Sequence, residues 1–216
     1  MTLMRNRILL HHCCAVCTPA VLEFFRKNFS EVAGFWFNPN IYPAEENTRR
    51  LSSLREFDKG YAILVKDGYA ARTSGRKEAY SPDGSQGQEL NDAWLSEIGG
   101  SVREPERCGK CYAMRLRETA LAAKDGGFGH FSTTLLSSPY QKHDLVRQAG
   151  EEASGVSGVE FIDRDFRQEF YRGRDVVRQK GLYMQKYCGC VFSYREFEQR
   201  VAVRNKREVV AGGQAL

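Results

Sequence analysis

No apolar run in this chain approaches the ~20 residues needed to cross a bilayer, so a membrane-spanning protein is not expected. The opening MTLMRNRILLHH has too short an apolar segment for a secretory signal and meets charge at once. The expected compartment is therefore the cytoplasm, where structural disulfides are rare. There is no internal repeat, and no large charge of one sign. With 32 basic against 27 acidic residues the net charge is only +5, which permits a nucleic-acid partner without demanding one. What remains is a soluble composition, 42% hydrophobic and 27% charged over 216 residues, enough for one ordinary domain with a real core.

Apolar runs alternate with helical patterns. RILLHHC reads as a buried strand and TPAVLEFFRKN as a helix, with Thr18 at its cap and Pro19 in its first turn. VAGFWF is a second strand stopped by the NPN turn, PAEENTRRLSSLREFDKG a helix, and YAILV a third strand. From Lys66 to Gln88 the chain turns polar and rich in Gly and Ser, as a surface insertion would (66–88). The segment ERCGKCYAMRLRETALAAKDGG reads as a helix, HFSTTLL as a strand, PYQKHDLVRQAGEEAS as a helix and VEFID as a fifth strand. Further helices flank YCGC in a helical C-terminal part, 164–216. This alternation predicts a single α/β domain over 1–216, with a mainly parallel sheet flanked by helices. In such sheets ligands gather beyond the carboxyl ends of the strands, so Cys13–Cys17 and Ser137–Ser138 are expected on one rim.

The seven cysteines fall in clusters: Cys13, Cys14 and Cys17, then Cys108 and Cys111, then Cys188 and Cys190. Clustered thiols in a reducing compartment point to metal or redox chemistry. Cys108 and Cys111, three apart at a helix start, share a face, and the helix amino end with Arg107 and Lys110 is expected to lower their pKa values. With Cys13 and Cys14 they would make a four-thiolate set, suited to zinc or to an iron–sulfur cluster. Adjacent Cys13 and Cys14 weigh toward iron–sulfur, since compact zinc sites separate their ligands by ~2–4 residues. Cys188-Gly-Cys190 closes a very small ring when oxidised, a strained and labile disulfide suited to two-electron exchange. Two further metal ligands, or a spare thiol pair, are the other readings of that motif.

Strand alternation puts one of His11 and His12 toward the core and one toward the site edge, each read as a satisfied structural histidine. STTLLSSPYQKH offers hydroxyls, Gln141 and His143 for phosphate or sugar, or ordinary capping by Ser138. Basic residues in NTRRLSSLR, DRDFRQEFYRGRDVVR and VRNKR, interleaved with Tyr171, Tyr183 and Tyr187, suit phosphates and stacked bases, or are solvated faces.

Taken in order, LLHHCCAVC, FNPNIYPAEE followed by RR, ERCGKCYAMRLRETA, FSTTLLSSPYQKH, DRDFRQEFYRGR and GLYMQKYCGC resemble the cobalamin-independent epoxyqueuosine reductases of the QueH type, from about Ile8 to Ser193. The resemblance implies a Rossmann-like fold of the adenine-nucleotide α-hydrolase group, with HHCCAVC where many relatives carry a glycine-rich ATP loop. It implies reductive removal of the epoxide oxygen of epoxyqueuosine at the tRNA anticodon wobble position, giving queuosine. It also implies a 4Fe–4S cluster on Cys13, Cys14, Cys108 and Cys111, and a redox-active disulfide pair at Cys188 and Cys190. An additional iron ion is a further implication, with Cys17 its candidate ligand. The implied partners are tRNA containing epoxyqueuosine and an unidentified electron donor. Proton donors are open; His12, Asp163 and Asp165 are candidates by proximity to the motifs. Val16 and Asn47 depart from the family pattern, and Met184 precedes QKYCGC. Two rival readings stand beside this one, an iron–sulfur tRNA thiolation enzyme of the same fold and a zinc-stabilised RNA-binding protein without catalysis.

Overall fold

The computed structural model describes residues 6–66 and 85–212, with the side chains of 85–90 and 206–212 left aside. Five strands form one parallel sheet in the order β3-β2-β1-β4-β5: β1 Arg7–His12, β2 Glu31–Trp36, β3 Ile63–Val65, β4 His130–Thr133 and β5 Glu160–Phe161. Around them lie α1 Pro19–Asn28, α2 Ala44–Phe57, α3 Ser85–Glu97, α4 Glu106–Asp125, α5 His143–Ser157, α6 Phe170–Gln179 and α7 Val191–Gly212. The parallel α/β expectation therefore holds, including helices on both sides of YCGC. Most of the expected insertion at 66–88 lies outside the described residues; Lys66 pairs with Glu118, and Ser85 already begins α3.

β1 is the central strand. Ile8, Leu9 and Leu10 are fully buried in succession because both faces of the sheet are covered, which is why β1 reads as a continuous apolar run. Strand order reverses between β1 and β4, whose registers set Leu9 beside both Ala33 and Phe131. That reversal opens a crevice beyond the carboxyl ends of β1 and β4. The Cys13–Cys17 turn leaves β1 there, and the 3-10 turn Thr134–Ser137 leaves β4 beside it.

Two helix starts differ from expectation. Thr18 does not cap α1: its hydroxyl donates to the Cys14 carbonyl (2.9 Å) and so braces the thiol turn. α5 begins at His143 and not near Pro139, because residues 134–137 first complete a 3-10 turn and Ser138 Oγ accepts from the Tyr140 amide (3.3 Å).

Candidate active site

Cys13, Cys14 and Cys17 gather at the end of β1. The Cys13 and Cys14 sulfurs lie 3.9 Å apart, and Gln185 Nε2 donates to Cys14 Sγ at 3.0 Å. Hydrogen bonds from Cys13 and Cys17 hold the Cys14 thiol well below its ordinary range, while the same contacts hold Cys17 well above it. Beneath this turn both histidines are fully buried, so strand alternation does not send one to the site edge. His12 Nδ1 donates to Thr18 Oγ1 (3.0 Å), leaving Nε2 to accept from the Tyr61 hydroxyl (3.0 Å). His11 Nε2 donates to the Phe37 carbonyl (3.3 Å), so Nδ1 accepts from Thr133 (2.9 Å). Burial pushes both imidazoles down to about 3, so they stand as neutral, hydrogen-bonded struts.

The first turns of α4 carry Cys108 and Cys111, and the Cys190 thiol is close enough to perturb both Cys111 and Cys188. Here the expected pKa lowering fails. Burial first, then Glu104, pushes Cys108 up to about 12, and burial likewise raises Cys111. Lys110 turns away to the Ile98 carbonyl (3.0 Å) and Ser101 Oγ (2.7 Å), and Arg107 is engaged by Val102 and Glu104. Cys188 is exposed as a residue, yet packing around its sulfur, with Cys190 adding to it, pushes the thiol up to about 12.

Two buried guanidiniums serve this thiol site. Arg115, 2% exposed, donates from Nε to the Cys111 carbonyl (3.2 Å) and has no carboxylate partner among the described residues. Burial opposes its charge, but Cys111, Cys13 and Cys188 outweigh that and keep its pKa raised, so it faces thiols of both groups. Arg50, 1% exposed, pairs through Nε with Glu46 (2.7 Å). Its two terminal nitrogens donate to the carbonyls of Cys188 and Tyr187, each at 3.0 Å. The same loop is held by Ser53 Oγ on the Tyr183 carbonyl (2.9 Å), by the Tyr183 hydroxyl on Glu46 (2.6 Å) and by the Tyr187 hydroxyl on the Tyr42 carbonyl (2.6 Å).

Trp94 Nε1 and Arg115 Nη2 are buried without a partner in hydrogen-bonding geometry among the described residues. Both residues nonetheless draw the Cys111 thiol down against the larger upward effect of burial. Soft thiols, two buried cations and unspent donors beside Cys111 fit an anionic sulfur-ligated cluster, whose sulfurs accept hydrogen bonds and whose charge needs a counter-ion. Among the described residues no three His, Cys, Asp or Glu side chains close around one point as a single ion requires.

Several basic and aromatic residues read as nucleic-acid contacts face inward instead. Arg50, Tyr183 and Tyr187 latch the Cys188 loop, and Asn47 bridges Trp36 Nε1 (3.0 Å) and the Asn38 carbonyl (3.1 Å). Asp163 pairs with Arg147 (2.5 Å), and Arg167 holds the Asp165 carboxyl down to about 2. Residues missed in the sequence include Arg115, Tyr112 and Gln185. Arg115 follows Cys108 and Cys111 at helical spacing on one face, which was the available signal. Tyr112, whose phenol burial holds well above its ordinary range, donates to Gln141 Oε1 (2.8 Å), and Gln141 Nε2 reaches Cys188 Sγ at 3.9 Å. Two large aromatics stay open at this mouth: Tyr140, 73% exposed, and Tyr171, 54% exposed, packed edge-on against Phe170, itself buried on the Cys14–Cys17 turn. Among the described residues no helix is long and apolar enough to cross a membrane.

Residues 8–196 match the family model described as "Epoxyqueuosine reductase QueH". The epoxyqueuosine reductase QueH of Dehalococcoides mccartyi is 30% identical over 89% of this chain and 95% of its own. That of Thermotoga maritima is 30% identical over 90% and 94%, and that of Staphylococcus epidermidis 28% identical over 88% and 76%. With its thiols gathered at the sheet crevice and a match spanning both cysteine-bearing ends, the chain belongs to the epoxyqueuosine reductase QueH family.

Proposed function

We propose that this chain reduces epoxyqueuosine in tRNA to queuosine, the observation that carries the reading being the thiols of Cys13 and Cys14 gathered at the end of β1 in a chain whose residues 8–196 match the epoxyqueuosine reductase QueH family. Opening an epoxide to an alkene takes two electrons and two protons and releases one water. A 4Fe–4S cluster, when bound by Cys13, Cys14, Cys108 and Cys111, supplies single electrons and a Lewis-acidic face. Cys17, hydrogen-bonded to Cys13 and Cys14, is the candidate ligand of an additional iron. Cys188 and Cys190 supply the two-electron partner: losing two electrons and two protons they close to a disulfide, and a cellular electron donor restores them. Arg115 and Arg50 offset negative charge where water is scarce.

The wobble base must be splayed out of its loop to reach this rim. Tyr140 and Tyr171 offer π-faces to the neighbouring bases, with Arg174 stacked on Tyr171 at 5.0 Å. Replacing both by alanine is expected to raise KM for tRNA by tens-fold or more, about 1–3 kcal/mol per lost stack, with kcat changed far less. Steady-state kinetics at two salt concentrations check this; an unchanged KM removes the platform.

The reading as a whole is tested on tRNA from a host lacking its own reductase. Added to that tRNA, reduced and iron-loaded protein is expected to convert epoxyqueuosine to a nucleoside lighter by one oxygen, seen by mass spectrometry. Unaltered nucleosides would refute the assignment.

A further inference from the structure

We propose that Arg50 is a positioning residue for Cys188 and Cys190: its guanidinium holds their loop in the dithiol shape and so sets how readily the pair closes. This rests on the reading of those cysteines as the redox pair. All seven cysteines are free thiols, and in that state Cys188 is exposed and Cys190 buried. Their sulfurs engage different neighbours: Cys190 Sγ lies 3.5 Å from Ser193 Oγ, and Cys188 Sγ lies 3.9 Å from Gln141 Nε2. Closing the ring must turn the peptide units on either side of Gly189. One of these contains the Cys188 carbonyl on which Arg50 Nη1 donates at 3.0 Å.

Gly189 is tightly enclosed at the same place. Its φ is +135°, open to glycine, and a Cβ there would meet Arg50 Nη1 at 3.2 Å, Ile41 Cγ1 at 3.2 Å and Asn40 Nδ2 at 3.3 Å. Arg50 itself cannot drift, since Glu46 anchors Nε and the pair is buried. Only a planar fork spans two successive carbonyls; a lysine ammonium does not reproduce it. A contact that favours the dithiol makes the disulfide easier to reduce.

The test equilibrates full-length, iron-loaded protein with glutathione redox buffers. One thiolate of the pair attacks glutathione disulfide and releases one glutathione. The other thiol then displaces the second, so two thiols become one protein disulfide while two glutathiones are formed. Peptide-resolved alkylation reads the oxidised fraction of Cys188 and Cys190. Arg50→Lys is expected to raise the equilibrium constant for oxidation about tenfold, a potential about 30 mV more negative. Glu46→Leu/Arg50→Met, which removes both members of the buried ion pair and so leaves no uncompensated charge, is expected to shift it the same way. Ser53→Ala, which frees the Tyr183 carbonyl of the same loop, should stay within about twofold of the parent. A parent-like constant in the Arg50 variants overturns the proposal, as does an equal shift in Ser53→Ala, which would mean general loosening. If the parent itself never forms the Cys188–Cys190 disulfide, the redox-pair reading falls and the proposal with it.

Discussion

The Cys108→Ala protein is expected to emerge from anaerobic purification without its iron and acid-labile sulfide, and to convert no epoxyqueuosine. Cys108 stands in the first turn of α4, half-buried, with Cys111 one turn on and Arg115 one turn further. Burial works against a free thiolate there, holding the thiol near 12, so a bare Cys108 gains little by ionising. An iron reverses that balance, since a coordinating thiol is deprotonated outright. On the four-thiolate reading proposed above, removing one ligand would leave an open corner and one negative charge fewer beside Arg115. The fold should survive, because the change deletes one sulfur at a partly open helix start. Iron and sulfide analysis, the visible spectrum and the nucleoside assay, with circular dichroism as control, decide the matter. A brown and fully active variant would refute the ligand role.

Glu46→Ala is expected to destabilise the protein by about 3–5 kcal/mol and to unlatch the Cys188 loop at once. The carboxylate is 5% exposed and accepts from Arg50 Nε at 2.7 Å and from the Tyr183 hydroxyl at 2.6 Å. Its loss leaves a guanidinium buried with two neutral carbonyls and no counter-charge, the costly half of a broken ion pair. Urea unfolding should give a lower midpoint with an unchanged slope, and Cys190, now buried, should alkylate faster. An unfolding free energy within about 1 kcal/mol of the parent would mean that water reaches Arg50 and that the latch is weaker than its geometry implies.

The strands, their parallel order and the shared rim were legible because each rests on local signals: apolar runs of strand length, turn residues and helix-length periodicity. The clustering of the cysteines along the chain was legible from their spacing alone. Inward-facing charge was not. On α2 the buried positions are Glu46, Arg50, Ser53 and Leu54, a face with one apolar member, so hydrophobic patterning points the helix the wrong way. In TRRLSSLR nothing local separates Arg50, sealed under a distant loop, from exposed Arg49. His11 and His12 misled through the same assumption, that alternation exposes one side of a strand, which fails for a central strand covered on both faces. The helix-dipole argument for Cys108 and Cys111 was sound in sign but too small beside burial, a quantity that only tertiary packing fixes.

The bonds from Arg50 and Ser53 end on main-chain oxygens, those of Tyr187, Cys188 and Tyr183. Any amino acid supplies such an oxygen, so these three bonds place no demand on the side chains between Tyr183 and Tyr187, of which Gln185 is tied instead by its own bond to Cys14 Sγ. The count of residues between them is not free. Lengthening or shortening that stretch by one would shift every later carbonyl out of reach, making insertions there far more damaging than substitutions.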